Sequence, residues 1–513
     1  MPDERSGPSR RQVLVLAGTG VAAISLGAAG VIGRWGAGDG TDDSTGTTPL
    51  DDVRGSALTE PDELRSAGGV LEARLRAAAG PVTLAGRTVH ALSYNGSVPG
   101  PTLRLRPGDR VRLDVENALG TATNLHVHGL HVSPQDNGDN PLVRIEDGET
   151  FRYEYDVPPD HPTGTFWYHP HLHGLVADQL FGGLAGAIVI ESQDDPDLPA
   201  GRERVLVVSD LSLDGDRVAA AGPMDVMMGR EGQLVLVNGQ LRPTVQVEPG
   251  SWEHWRVVNA CTSRFLRLRL DGGELVQVAA DAGHLAEPVE VDDVLLAPGN
   301  RVQLLARATA AHARLTTLPV DRGGMGMGRG PGTGPGTGAG PSGPGRGEQD
   351  ATVLLDLTGG ATSADRPALP DRLVDLPDLR EAVVDGRRTL TFAMGMAMGR
   401  GMAFTIDGRE FDAERVDTPV TVGTVEEWTV ANDSPMDHPF HLHVWPVQVV
   451  ARDGAPVQGP PRWLDVVNVP AGRTVTVRVR FDDFPGLTVY HCHILDHEDL
   501  GMMGTVLAEG SGP

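Results

Sequence analysis

The chain has 513 residues, too many for one hydrophobic core, which predicts two to four domains. Its 67 glycines, 39 prolines and 40% hydrophobic residues suit many short strands joined by turns better than long helices. A net charge of −26 excludes nucleic acid as a partner, because a uniformly acidic surface repels a phosphate backbone, and it favours small neutral or cationic partners.

In chain order, residues 1–35 read first as an export signal. Ser9-Arg10-Arg11-Gln12-Val13-Leu14 precedes a Gly- and Ala-rich apolar run to about Gly33, the pattern of a twin-arginine leader. The mature protein is therefore expected in the periplasm, on the cell surface or outside the cell. Left uncleaved, the run would act as a membrane anchor, since about 20 apolar residues span a bilayer. No other segment is long and apolar enough to do so, and a monomer is expected. Residues 36–55 form an acidic, Gly/Thr-rich tether.

A pattern then appears three times: a turn glycine, an alternating strand, and an asparagine nine positions after the glycine. The copies run Gly108 to Asn117, Gly250 to Asn259 and Gly423 to Asn432. A second turn-plus-strand follows each, at Gly148 with Phe151, Tyr153 and Tyr155, at Gly299 with Val302 and Leu304, and at Gly472 with Val475, Val477 and Val479. Alternation at period two marks half-buried strands. The fold class read from this is all-β, three consecutive Greek-key β-sandwiches over residues 56–195, 200–320 and 350–513. The Gly/Pro/Met-rich stretch 321–349 reads as a linker or loop.

Histidine supplies 17 residues, a frequency at which chance gives about 0.6 His-x-His pairs. Five are present: His126/His128, His169/His171, His171/His173, His441/His443 and His491/His493. All lie in the first and third domains. On a strand, residues i and i+2 share a face, so each pair presents two imidazoles side by side, suited to gripping one metal or bridging two. Four pairs supply eight ligands, and the middle domain, which has no such pair, is expected to be a spacer and partial substrate wall.

In an extended His491-Cys492-His493 the thiol faces away from both neighbouring imidazoles, so two metal sites share three residues. On the cysteine side, His438, His497 and Met502 offer two imidazoles and a thioether beside the thiolate, the ligand set of a blue copper site. Met503 is adjacent and competes for the axial place. The only other cysteine, Cys261, reads as a small buried hydrophobe; a bridge to Cys492 would remove the thiolate.

His126-Val-His128-Gly129, Trp167-Tyr168-His169-Pro170-His171, His438-Pro-Phe-His441-Leu-His443 and His491-Cys492-His493-Ile-Leu-Asp-His497-Glu-Asp-Leu-Gly-Met502 together resemble the four copper motifs of multicopper oxidases. The resemblance implies cupredoxin-like sandwiches and four copper ions. Type 1 copper would be held by His438, Cys492, His497 and Met502, and type 2 copper by His126 and His441. The two type 3 coppers would be held by His128, His169, His171, His443, His491 and His493, with His173 left as a polar neighbour. It further implies that one-electron oxidation of a small reduced substrate drives four-electron reduction of O2 to water, with electrons crossing from Cys492 through His491 or His493. Glu498 and Asp139 are nominated as proton donors, with Asp136 close to the latter in sequence.

Methionines recur at Met224, Met227 and Met228, at Met325 and Met327, and at Met394, Met396, Met398 and Met402. Thioethers select Cu(I), and bacterial cuprous oxidases of the family carry such segments, so Met394, Met396 and Met398 are nominated for substrate Cu(I), in a copper-homeostasis role. Ordinary core packing is the alternative for these side chains. The alternatives for the whole chain are a laccase-like oxidase of phenols and aromatic amines, a copper nitrite reductase, which lacks paired type 3 histidines, and a copper-free structural relative.

Overall fold

The computed structural model describes residues 55–324, 351–359, 366–397 and 401–510. The leader, most of the tether, Met325, Met327 and Met398 lie outside these residues. Strands dominate, arranged in six sheets that pair into three sandwiches, each of a six-stranded and a five-stranded sheet. Each sandwich encloses its own core. Leu75, Leu113, Tyr153 and Ile188 pack in the first, Leu206, Trp255, Leu304 and Leu355 in the middle one, and Phe392, Trp428, Phe440 and Val477 in the third.

The repeated asparagine does the same work in every sandwich. Nδ2 of Asn117 donates to the carbonyls of Thr121 and Ile145, that of Asn259 to Arg264 and Leu296, and that of Asn432 to Met436 and Val469. The Oδ1 of each accepts from the amide two residues on, in Leu119, Cys261 and Ser434. One buried amide thus closes the loop after its strand and ties it to a second segment 28 to 37 residues on. The glycines that open the repeat, Gly108, Gly250 and Gly423, all have positive φ (86°, 74° and 91°), which accounts for their residue type.

Two boundaries differ from the sequence reading. The strand Thr352–Thr358 pairs with His312–Leu318 and Thr244–Gln246, so it completes the middle sandwich, and the third does not begin at 350. The Gly/Pro-rich stretch before it therefore interrupts a domain and does not separate two. The hairpin Leu213–Val218 crosses the other way and joins the first sandwich through Arg217 opposite His90.

The sandwiches meet through a shared apolar cluster. Trp167, Val176, Leu180 and Val189 come from the first, Val205, Val207 and Val258 from the middle, and Leu495 from the third. Full burial of such side chains stabilises by roughly 1.5–3 kcal/mol each. Arg104, nearly buried, adds a polar tie: its guanidinium donates to Glu63 and Glu191 of the first sandwich and to Glu203 of the middle one, which also accepts from Arg256.

Among the described residues, no helix is long and apolar enough to cross a membrane. Both cysteines are free and buried, and Cys261 packs against the Val208 carbonyl, as expected of a small hydrophobe.

Candidate metal centre

Four strands and their flanking turns deliver the histidines. His126–His128 lies antiparallel to Gly164–His169, with His126 opposite His169. His438–Leu442 lies antiparallel to Gly486–Cys492, with His441 opposite His491 and Phe440 opposite Cys492. Registers that align histidine with histidine bring the paired imidazoles together edge to face, with centroids 5.3 Å apart in both pairs. The two strand pairs come from different sandwiches, yet the rings interleave: His126 stacks on His443 with centroids 4.0 Å apart, and His128 on His441 at 3.9 Å.

Eight imidazoles thereby share one buried cavity: His126, His128, His169, His171, His441, His443, His491 and His493. Within it, ligand atoms of His126, His128 and His169, of His126, His441 and His443, and of His171, His443 and His491 lie within 4.8 Å of one another. Burial, reinforced by mutual repulsion, holds these rings well below the ordinary histidine range, so they are neutral and keep a lone pair to offer.

The second ring nitrogen is committed elsewhere in several cases. His126 Nδ1 lies 2.9 Å from both Asp139 oxygens, His169 Nδ1 meets the Pro170 carbonyl at 2.8 Å, and His441 Nδ1 meets the Asp465 carbonyl at 2.8 Å. The opposite nitrogens, His126 Nε2, His169 Nε2 and His441 Nε2, are buried and without a hydrogen-bond partner, as is His128 Nδ1. Buried nitrogens in this state are costly unless a metal accepts them, so the donor set fits copper.

On the other face of the same strand lies a second group. His438 Nδ1 is 3.3 Å from Cys492 Sγ and 3.3 Å from His497 Nδ1, and all three residues are buried. The Ile494 amide donates to the sulfur at 3.4 Å. Burial, with a smaller push from the Glu498 charge, raises the Cys492 thiol against the Ile494 amide and Arg322, and burial pushes His438 down to about 3. A thiol so placed ionises when a metal replaces its proton. Met502 is buried in the same core as Cys492; Met503, next in the chain, stands opposite His491 and outside that core. The thiol and its flanking imidazoles thus lie in separate clusters, as the alternation of an extended strand requires.

The structure also locates the nominated acids. Asp139 is buried against His126, and burial raises its carboxyl to about 8, against the Val127 amide. Asp136 is exposed in the turn before it. Glu498 is fully buried, 3.2 Å from His491 Nδ1 and 3.5 Å from His171 Nε2, with neither oxygen in a well-formed hydrogen bond. Burial holds it well above the ordinary carboxylate range. His173 stands apart from the cluster, against Phe411.

Of the nominated methionines, Met394 packs half-buried against the third core and Met396 is 79% exposed. Met396 pairs with Met402 across the hairpin, and Met394 with Phe404, whose ring stacks on His497 at 4.4 Å. The helix Pro223–Met228 covers the remaining edge of His497, whose Nε2 lies 3.2 Å from the Met227 carbonyl.

Sequence reasoning missed Asp465, which contacts both His128 and His441, and the middle-domain Arg301 that holds it. It also missed Arg230, whose buried guanidinium grips Asp496 between the ligand candidates His493 and His497.

Comparison with known proteins places these features in a family. Models described as multicopper oxidase match residues 76–195, 208–314 and 384–511. A multicopper oxidase of Staphylococcus aureus is 26% identical over 82% of this chain and 84% of its own length. A laccase of Bacillus subtilis is 26% identical over 80% of this chain and 89% of its own length. The solved structure of a Campylobacter jejuni multicopper oxidase, described as a metallo-oxidase, superposes with a TM-score of 0.77 at 30% identity, covering 89% of this chain and 95% of that one.

Proposed function

The chain belongs to the multicopper oxidase family, and from that premise we propose that it oxidises Cu(I) at the His497 edge and delivers the electrons to O2, as part of copper homeostasis outside the cytoplasm. Coupling of substrate oxidation to O2 reduction is the family's general reaction, and the chain is an oxidoreductase. Four copper ions are assigned. His438, Cys492, His497 and Met502 hold the type 1 ion, His126 and His441 the type 2 ion, and His128, His169, His171, His443, His491 and His493 the type 3 pair. Bound there, copper supplies a one-electron acceptor beside the thiolate and an oxygen-reducing cluster among the imidazoles.

The observation that carries this reading is the strand ending at Cys492, with the thiol against His438 on one side and His491 and His493 among the cavity imidazoles on the other. One backbone step joins the two faces. Glu498 and Asp139 hold protons at carboxyl oxygens beside cavity imidazoles, where O2 reduction consumes them. The complete, buried donor set favours this over a copper-free structural role, and eight converging imidazoles exceed what a nitrite reductase needs.

Support for Cu(I) comes from the thioether row Met396, Met402 and Met394, which leads from solvent to Phe404 and His497, and from the metallo-oxidase description of the C. jejuni relative. Steady-state rates with Cu(I) and with a phenol, before and after Met394→Ser, Met396→Ser and Met402→Ser, test it. Cu(I) oxidation is expected to fall about tenfold or more while phenol oxidation persists, as the loss of a soft-ligand contact predicts. Unchanged Cu(I) turnover would leave the laccase-like reading. Export rests on the Ser9-Arg10-Arg11 leader; Arg10→Lys with Arg11→Lys is expected to hold the protein in the cytoplasm on cell fractionation.

A further inference from the structure

We propose that the middle sandwich, which contributes no histidine, fixes which ring nitrogens the other two present to the cavity, through the positioning pair Arg301 and Asp465. The proposal rests on the cavity being the copper site described above.

Arg301 begins the strand Arg301–Ala308 of the middle sandwich, and its side chain is fully buried. All five guanidinium N–H groups find acceptors, drawn from all three sandwiches. Nε donates to the Thr165 carbonyl of the first at 3.1 Å. Nη1 donates to Gly299 and Nη2 to Asp281, both main-chain carbonyls of the middle one, at 3.1 and 2.9 Å. The two remaining hydrogens form a bidentate pair with Asp465 of the third, Nη1 to Oδ1 at 2.6 Å and Nη2 to Oδ2. A planar fork with every donor engaged admits one orientation, and it holds the carboxylate in one orientation as well.

Asp465 passes that constraint to both terminal sandwiches. Its Oδ1 lies 3.1 Å from His128 Nε2, and its main-chain oxygen accepts from His441 Nδ1 at 2.8 Å. His128 comes from the first sandwich and His441 from the third, and the two rings stack. With Nε2 of one and Nδ1 of the other engaged, His128 Nδ1 and His441 Nε2 are the nitrogens left facing the cavity, both buried and unpartnered. The fit is close on every side. A side chain at Gly129, next to His128, would collide with Arg301 and Asp465, and one at Gly299 would meet the His493 ring at 2.9 Å. Asp281 braces both members of the pair, its Oδ1 accepting from the Arg301 amide at 2.8 Å and its Oδ2 from the Asp465 amide at 3.3 Å.

Partners that set a ligand's tautomer and angle typically change metal affinity 10- to 100-fold when removed. The test uses copper-loaded holoprotein as wild type, Arg301→Lys and Asp465→Asn, titrated with a copper chelator. The thiolate charge-transfer band reports the Cys492 site, and the type 2 paramagnetic resonance signal reports the cavity. In both variants the cavity signal is expected to disappear at about 10- to 100-fold lower chelator concentration while the band follows wild type, with Arg301→Lys the milder because it keeps the charge. Cavity copper held as tightly as in wild type overturns the proposal. So does parallel loss of both signals, which would mean general loosening. Should the single variants not fold, Arg301→Met/Asp465→Leu removes the bidentate pair together, so that neither member is left buried without the other, and the same selective loss is required of it. A wild type that takes up no cavity copper would refute the copper assignment itself, which is a different result.

Discussion

The first and third sandwiches use one strand pair to carry histidines, and the middle sandwich uses the corresponding pair to carry its own core. His126 faces His169 in the first and His441 faces His491 in the third, while Leu268 faces Thr317 in the middle. In each sheet that pair continues through one antiparallel and then one parallel neighbour, so the positions correspond. Leu266, Leu268 and Leu270 turn into the middle core. The terminal imidazoles instead face one another across the boundary between sandwiches. The scaffold therefore supplies a place for ligands but does not require them, and what distinguishes the regions is the direction the pair faces. The middle sandwich reaches the cavity by another route, through the turn that ends in Arg301.

The sharpest break of this comparison lies at Glu498, an acid on the terminal side with no counterpart in the middle. Glu498→Gln is expected to lower oxygen consumption on the order of 100-fold while copper content stays at wild-type level, as removal of a general acid predicts. An oxygen electrode beside metal analysis checks it, and a near-normal rate would remove Glu498 from proton supply.

The repeated asparagine gives a matched pair of smaller perturbations. Asn432→Ala and Asn259→Ala each strand two carbonyls, and each is expected to cost about 1–3 kcal/mol or somewhat more in denaturant unfolding. Only Asn432→Ala is expected to disturb the thiolate band, because the Met436 carbonyl it holds lies two residues before His438. Equal spectral effects would erase the distinction.

The smallest effect concerns the tie between sandwiches at Glu203. Burial opposes its ionisation, but the His254 contact and the Arg256 and Arg104 charges outweigh this and hold it well below its ordinary value of 4.5. A depressed carboxylate contributes stability that is present above its unfolded pKa and is lost as pH falls through the folded value. Glu203→Gln is accordingly expected to be less stable than wild type near pH 7, with the gap closing progressively as the pH falls from the ordinary value of 4.5 towards the depressed folded value. Parallel stability curves down to strong acid would exclude the linkage.

Sequence periodicity reached the strands, the three sandwiches and the spacing of the histidine pairs because each of these is local: alternation, turn glycines and i,i+2 pairing need only neighbours. The separation of Cys492 from His491 and His493 was legible for the same reason. Arg301 and Asp465 were not, since they meet across 164 residues and neither lies in a histidine motif. A charged residue two positions after the second-turn glycine Gly299, where the other copies carry Thr150 and Thr474 after Gly148 and Gly472, was the available signal, and it reads in isolation as a solvated strand end. The boundary at 350 failed because a composition shift cannot say which sheet the next strand joins. Helix Pro223–Met228 gave no hint of its role, since its contact with His497 runs through the Met227 main chain.

The central claim is that Cys492 serves one metal while its flanking imidazoles serve others. Copper-loaded Cys492→Ser, examined by absorption and paramagnetic resonance together with oxygen uptake, tests it most directly. The account predicts loss of the thiolate band and of substrate-driven oxygen consumption, with the cavity copper signal retained. Retention of both colour and oxygen consumption would contradict it.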